Sequence, residues 1–193
     1  MIAEPLAVTL LVAEVLESLG VSYFIGGSLA SAVHGVVRAT LDSDLVAELQ
    51  PSHVAPFVAS LGGEFYADPE AILEAIEHRA SFNIIHRETM FKVDVFISRR
   101  RPFDQAQFQR RVGQVVSQDP IRTAYIASAE DTILAKLEWY RAGGEVSERQ
   151  WRDVLGVLQV QQHTLYLVYL LRWAKDLGVA DLLERALREL PSH

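Results

Sequence analysis

The sequence has 193 residues, of which half are apolar and 22% are charged, a balance typical of folded globular proteins rather than disordered ones. Its formal net charge of −7 argues against a protein that coats nucleic acid through non-specific charge. The absence of cysteine excludes disulfide frameworks, thiolate nucleophiles and cysteine-ligated zinc or iron–sulfur sites. The first residues lack the basic segment of a secretory signal, and every apolar run falls short of the roughly 20 residues that span a bilayer. We therefore expect a cytoplasmic protein without a membrane segment.

Hydrophobic periodicity predicts alternating helices and strands over the first two thirds of the chain. The predicted elements are, in chain order, helix 6–19, strand 21–25, helix 29–34, strand 42–49, helices 52–61 and 69–78, strands 81–86 and 91–97, and short strands 112–116 and 125–127. Only a short turn separates strands 81–86 and 91–97, which favours an antiparallel hairpin.

From Ser128 onward the pattern is helical. Ser128 and Asp131 have the spacing of a capping box at the start of the first helix, with aspartate in place of the usual glutamate or glutamine. Three further helices are predicted at 147–158, 165–177 and 180–190. We expect an α/β domain over residues 1–126 and a helical domain over residues 127–193.

The first candidate for chemistry is the triplet Gly26-Gly27-Ser28, between a predicted strand and a predicted helix. Glycine lets the backbone approach a ligand closely, and the N–H groups at the start of a helix can contact phosphate oxygens. Ser28 can cap the helix that follows. The alternative is an ordinary turn without a ligand.

Carboxylates on two predicted strands are the other candidates. Asp42 and Asp44 share one face of the strand 42–49, about 7 Å apart along the backbone. Such close like charges repel unless a cation neutralises them. Asp94 lies on the less apolar face of the strand 91–97. Oxygen ligands without histidine or cysteine favour a hard ion such as Mg²⁺ or Mn²⁺, and the alternative is that these are solvated strand positions.

Together these features match the requirements of nucleotidyl transfer. The triphosphate must be held, its charge neutralised, and the attacking hydroxyl placed in line with the bond that breaks. Two Mg²⁺ ions about 4 Å apart, held by three carboxylates, would acidify the hydroxyl and hold the leaving pyrophosphate. In this interpretation Asp94 is a shared ligand and the general base.

The order of these residues resembles the signature of the nucleotidyltransferase superfamily, the polymerase-beta-like transferases. Residues 24–28 are followed by thirteen residues and then by Asp42-Ser43-Asp44, and residues 92–95 resemble the later strand with the third carboxylate. The resemblance implies an α/β (α+β) fold in which a mixed sheet flanked by helices precedes a C-terminal helical bundle. It also implies the roles of six residues: catalysis and metal binding for Asp42, Asp44 and Asp94, and nucleotide binding for Gly26, Gly27 and Ser28.

A narrower resemblance is to minimal nucleotidyltransferases and abortive-infection-type toxins. In these proteins an Arg-x-Thr-x-Asp-x-Asp string is common, and residues 38–44 repeat it. The resemblance implies that Arg38 and Lys136 bind the nucleotide, Lys136 through phosphate, and that Arg152 and Asp153 support the site. From the residues alone, Arg38 could equally pair with a neighbouring aspartate, and Lys136 could be a surface lysine.

These observations predict an enzyme that transfers a nucleoside monophosphate from an NTP to an acceptor hydroxyl, of RNA or protein, with a toxin-like role. The alternative is a nucleotide-binding sensor or toxin-system partner without turnover. Residues 99–122 carry six arginines against two aspartates, a net charge of +4, and form either a docking patch for an acidic acceptor or a solvated basic edge. The apolar residues 165–171 fit either the core or a homo-oligomer interface.

Overall fold

The chain forms two compact units. The computed structural model describes residues 4–36, 40, 42–118 and 121–190. We call Met1–Leu29 together with Ala39–Ile126 the sheet unit, and Ala30–Arg38 together with Ala127–His193 the helical unit. The domain division after residue 126 stays a prediction, and the units differ from it in residues 30–38, which group with the later helices.

The strands of the sheet unit form one mixed sheet. They are β1 (Tyr23–Ile25), β2 (Asp42–Ala47), β3 (Phe65–Tyr66), β4 (Ser81–His86), β5 (Lys92–Ile97), β6 (Val112–Gln118) and β7 (Ile121–Ile126). Their order in the seven-stranded sheet is β3-β4-β5-β2-β1-β7-β6. β2 pairs in parallel with β5, and β1 with β7, whereas the other neighbours are antiparallel. The predicted β4–β5 hairpin is confirmed, and β6 and β7 are longer than the short strands expected.

The helices that begin in the sheet unit lie close to their predicted positions, with one exception. They are α1 (Glu4–Ser18), α2 (Gly27–Val33), α3 (Pro51–Leu61), α4 (Pro69–His78) and α5 (Pro102–Arg110). Asp68 caps α4 by accepting hydrogen bonds from the backbone N–H groups of Glu70 and Ala71. Pro69 occupies the first turn of α4, where its missing N–H costs no hydrogen bond, as the sequence predicts.

Helix α5 is the exception, because the sequence pattern predicts no helix there. Its two large apolar residues, Phe103 and Phe108, are five positions apart, a spacing that gives no clear helical stripe. Both are buried, and the Phe108 ring packs edge-to-face against Phe24 of β1 with 5.0 Å between ring centroids. Packing onto the sheet therefore stabilises a helix that its local pattern does not reveal.

Alternation along β2 and β5 decides which side chains face the core. On β2, Ser43, Leu45 and Ala47 are fully buried, and on β5 so are Val93 and Val95. Because successive side chains of a strand point to opposite faces, the residues between these lie on the other face of the sheet. That face carries the aspartates of both strands.

The helical unit contains α6 (Ala129–Ala142), α7 (Glu148–Gln161), α8 (Leu167–Asp176) and α9 (Ala180–Glu189) within its described residues. Ser128 caps α6, since its Oγ accepts a hydrogen bond from the Asp131 backbone N–H at 3.1 Å and donates one to the Asp131 carboxylate at 2.9 Å. The helical pattern predicted beyond Ser128 is confirmed. Among the described residues, no helix combines the length and apolarity that crossing a membrane requires.

Contacts with α7 and with residue 127 explain why residues 30–36 belong to the helical unit. The His34 Nε2 atom lies 2.7 Å from the carbonyl oxygen of Ala127, and the Gln161 side chain donates a hydrogen bond to the His34 carbonyl at 3.1 Å. A Cβ atom on Gly35 would lie only 2.6 Å from a methyl group of Val160. These are long-range contacts that hydrophobic periodicity does not predict.

Candidate active site

The glycine loop and the first pair of aspartates are in direct contact. Loop residues Gly26 and Gly27 follow β1, and the Gly26 N–H donates a hydrogen bond to the backbone oxygen of Asp44 at 2.9 Å. Gly27 has a φ of +53°, and a Cβ atom built on it would lie 1.7 Å from Asp44 Oδ2. The Asp44 carboxylate therefore occupies the space that a side chain at position 27 would need, which requires glycine there.

The parallel pairing of β2 with β5 brings the third aspartate beside the first two. Asp44 is the direct partner of Asp94 in the strand register, and Asp42 is the partner of Lys92. Directly paired residues project from the same face of a sheet, with Cβ atoms about 5 Å apart. Asp42, Asp44 and Asp94 thus form one half-buried group, which we call the acidic cluster.

Lys92 lies within this cluster, although no site role was predicted for it. Its Nζ atom is 2.8 Å from Asp94 Oδ2, and the two side chains are 41% and 16% exposed. The pKa of Lys92 is raised, first by the hydrogen bond to Asp94 and further by the charges of Asp42 and Asp44, while burial opposes the rise. The sequence held a signal for it, since Lys92 and Asp94 are two residues apart on one strand face.

Of the other two named residues in the Arg-x-Thr-x-Asp-x-Asp string, Thr40 is described by the structure. The Thr40 hydroxyl lies 2.8 Å from the backbone oxygen of Asp42 and 3.1 Å from its Oδ1 atom, so it orients this carboxylate. Arg38, predicted to bind the nucleotide, lies outside the described residues.

The chemistry of the acidic cluster fits a hard divalent cation. Its donors are carboxylate oxygens on neighbouring strand positions, the ligand type that Mg²⁺ and Mn²⁺ prefer. Within residues 4–36, 40, 42–118 and 121–190, no three histidine, cysteine, aspartate or glutamate side chains converge as a ready-made metal site. One oxygen of Asp94 is paired with Lys92 instead. The oxygen atoms of the cluster are therefore suitable ligands for a divalent cation. In this arrangement of the side chains, the cation beside them is the Lys92 ammonium.

Similar solved structures exist, although no protein-family model and no curated protein matches the sequence. An antigenic nucleotidyltransferase-like protein from Paracoccidioides brasiliensis superposes with a TM-score of 0.55 at 17% identity, over 100% of this chain and 96% of that one. The antibiotic-resistance factor ANT(2'')-Ia gives 0.53 at 15% identity, over 95% and 97%. The lincomycin-bound lincosamide antibiotic adenylyltransferase LnuA gives 0.51 at 14% identity, over 82% and 98%.

The chain has the nucleotidyltransferase fold. The predicted mixed sheet followed by helices is thereby confirmed, and the resemblance to the superfamily holds at the level of the fold. The narrower resemblance to minimal and toxin-type nucleotidyltransferases stays a prediction, because identities of 14% to 17% show the fold alone.

Within the helical unit of this nucleotidyltransferase fold, Lys136 and Asp153 form a buried ion pair. The Lys136 Nζ atom lies 2.8 Å from Asp153 Oδ2, and the side chains are 9% and 2% exposed. Asp153 thus holds the lysine that the resemblance assigns to phosphate. Arg152 points elsewhere, since its exposed guanidinium approaches Glu148, with 3.9 Å between Nη2 and Oε2. Phosphate binding by Lys136 stays a prediction.

Several arginines of the basic stretch 99–122 have partners inside the sheet unit. The Arg101 guanidinium forms an ion pair with Asp104 at 2.9 Å. Arg122 pairs with Glu14 at 3.2 Å. The Arg111 guanidinium lies 4.7 Å from the centroid of the Tyr125 ring. These contacts favour a structural role for much of the stretch, and its use as a docking patch stays a prediction.

A cavity of about 520 Å³ lies apart from the acidic cluster, beside β1, β6 and β7. Tyr23, Arg111 and Tyr125 are among the residues that line it. No residue of the acidic cluster does so. The carboxylate chemistry, rather than this cavity, therefore marks the candidate site.

Proposed function

We propose that the protein is a metal-dependent nucleotidyltransferase that moves a nucleoside monophosphate from an NTP to an acceptor hydroxyl. The observation that carries the proposal is the contact of the Gly27 backbone with Asp44, which is itself paired across the sheet with Asp94. The approachable glycine backbone thus contacts one of three carboxylates carried by the central strands β2 and β5. Few other reactions need both of these features together.

In the proposed mechanism, Asp42, Asp44 and Asp94 would hold the divalent cation. When bound, the cation supplies charge neutralisation for the triphosphate and acidity for the attacking hydroxyl. The backbone at Gly26, which has no side chain, would lie against the triphosphate, while the Asp44 carboxylate takes the space beside Gly27. A carboxylate oxygen of Asp94 accepts the proton of the acceptor hydroxyl as the hydroxyl oxygen attacks the α-phosphorus. The bond from the α-phosphorus to the oxygen that bridges it to the β-phosphorus breaks, and pyrophosphate leaves.

Three classes of molecule are candidates for the acceptor hydroxyl. RNA and protein hydroxyls are candidates from the resemblance to toxin-type enzymes. The similar structures add a third class, because one is a lincosamide adenylyltransferase bound to lincomycin and another is an antibiotic-resistance factor. We therefore include small hydroxylated antibiotics among the acceptors to be tested.

The test is transfer of label from each α-³²P-labelled NTP, with Mg²⁺ or Mn²⁺, to cell RNA, cell protein and a panel of lincosamides and other hydroxylated antibiotics. We expect label on one acceptor class, reduced about 100-fold or more in Asp44→Asn, since one group that stabilises transferred charge contributes at this scale. Asp176→Asn is the matched control, because Asp176 is an exposed aspartate at the end of α8.

Two outcomes contradict parts of the proposal. Equal transfer by wild type and Asp44→Asn would assign the activity to another site or to a contaminant. Binding of NTP that depends on Asp44, without label on any acceptor, would favour the alternative of a nucleotide-binding protein without turnover. A toxin-like role predicts slower growth of cells that express wild type than of cells that express Asp44→Asn.

A further inference from the structure

Lys92 is fixed at the acidic cluster by the register of the sheet. Its neighbour in sequence, Val93, is fully buried on the opposite face, so Lys92 must project on the aspartate face. There it is the direct partner of Asp42, and its Nζ atom lies 2.8 Å from Asp94 Oδ2. A cation therefore sits among the three carboxylates as part of the chain itself.

The charges of the cluster explain why a cation is needed there. Three carboxylates at adjacent register positions repel one another, and the repulsion is strong because they are half-buried. One ammonium reduces the charge of the group from −3 to −2. A divalent metal ion would compete for the same oxygens, because it is attracted by the same charge and repelled by the ammonium.

The exposure of the two partners indicates which one can move. The Asp94 side chain is 16% exposed and sits in the middle of β5, whereas that of Lys92 is 41% exposed. Lysine has a flexible four-carbon stem and a strongly hydrated head, so its ammonium can turn into solvent at small cost. The ion pair can therefore open without a change in the sheet.

We propose that Lys92 is an internal counter-ion that holds Asp94 in the metal-free protein and is displaced when a divalent cation binds the acidic cluster. The inference rests on the proposed function, and it makes Lys92 a positioning residue that sets metal affinity. Metal binding then includes the loss of one ion pair. Removal of the ammonium leaves the carboxylates less stable without metal and more attractive to it.

The test is calorimetric titration of the full chain with Mn²⁺ alone, in wild type, Lys92→Met and Lys92→Arg. Methionine keeps the length of the stem and removes the charge, whereas arginine retains it. We expect Lys92→Met to bind Mn²⁺ at least about fivefold more tightly, the equivalent of one exposed ion pair of about 1 kcal/mol. Lys92→Arg should stay within about twofold of wild type. Lys175→Met, which removes an exposed lysine of α8, controls for net charge.

Unfolding in urea gives a second readout that a merely structural role would not produce. Lys92→Met should be less stable than wild type without metal, and the difference should shrink or reverse at saturating Mn²⁺. A purely structural lysine would lower stability equally in both conditions. That equal loss, or Mn²⁺ affinity in Lys92→Met no tighter than in wild type, would overturn the inference.

Asp44→Asn separates failure of this inference from failure of the proposed function. If Asp44→Asn abolishes Mn²⁺ binding while Lys92→Met binds like wild type, the inference about Lys92 alone is wrong. If Asp44→Asn leaves Mn²⁺ binding unchanged, the acidic cluster is not the metal site. Both proposals then fail.

Discussion

Replacement of Gly27 by alanine should disturb the acidic cluster through its contact with Asp44. The new Cβ atom would lie 1.7 Å from Asp44 Oδ2 and 2.6 Å from its Cγ atom, distances that no relaxed structure tolerates. The carboxylate must therefore rotate away from the loop or the loop must move. The φ of +53° at position 27 adds backbone strain, because alanine rarely adopts this conformation.

The two costs can be worked out separately. The left-handed backbone costs alanine about 1–2 kcal/mol, and overpacking against a fixed neighbour costs about 1–3 kcal/mol. We expect Gly27→Ala to lower the free energy of unfolding by about 3 kcal/mol in total. Gly20→Ala is the matched control, since Gly20 has a φ of +67° and nothing lies within 4 Å of its Cβ position. It should cost only about 1–2 kcal/mol.

Urea unfolding of both variants measures these costs, and Mn²⁺ titration measures the effect on the cluster. Displacement of Asp44 should weaken Mn²⁺ binding by about tenfold or more, as loss of support for a metal ligand commonly does. Gly20→Ala should bind Mn²⁺ like wild type. Equal stability and equal Mn²⁺ affinity in the two alanine variants would refute the reasoning, because the contact with Asp44 would then have no consequence.

Two further predictions concern buried polar groups away from the cluster. Asp153→Ala should lower the free energy of unfolding by about 3–5 kcal/mol, because it leaves the buried Lys136 ammonium without its partner. The double variant Asp153→Ala/Lys136→Met should lose less stability, because no buried charge remains. A loss below about 1 kcal/mol in Asp153→Ala alone would contradict this prediction. Burial, followed by the hydrogen bond to Glu17, raises the pKa of Tyr23 well above the usual value near 10. The folded state thus keeps a proton that the unfolded state loses, so the stability contributed by this tyrosine is complete below about pH 10 and declines as the pH rises further. The difference in unfolding free energy between wild type and Tyr23→Phe should be constant below about pH 10 and shrink steadily as the pH rises above it, and a difference that stays constant above about pH 10 would count against this assignment.

Local patterns in the sequence were sufficient to predict the aspartate face of each strand and the position of the glycine turn. Alternation on residues 42–49 correctly placed Asp42 and Asp44 on one face, since period two is a property of a single strand. The same rule placed Lys92 and Asp94 on one face of β5, the neighbour of β2 in the sheet, although only the aspartate was assigned a role. The glycine turn was recognised from its position between a strand and a helix, but the expected cap at Ser28 was wrong, because α2 begins at Gly27 and Ser28 lies within it. Each of these signals is contained within a few residues.

The relation between these pieces could not be predicted from periodicity. Asp44 and Asp94 are 50 residues apart in sequence, and only the parallel pairing of β2 with β5 makes them partners. A shift of that register by one residue would place Asp94 on the opposite face from Asp44. Helix α5 was missed for a related reason, because its stability comes from packing of Phe108 on Phe24 rather than from its own pattern.

The position of Asp44 is set by contacts within the chain. Its backbone oxygen accepts a hydrogen bond from Gly26, its carboxylate fills the space beside Gly27, and its strand is paired on both sides. In small metallo-domains, by contrast, metal binding itself supplies the free energy of folding. Here buried apolar residues, Leu45 and Ala47 of the same strand among them, hold β2 in the core. The pairing of β2 with β5 therefore brings like charges together, and the cost of their repulsion explains why the chain carries Lys92 beside Asp94.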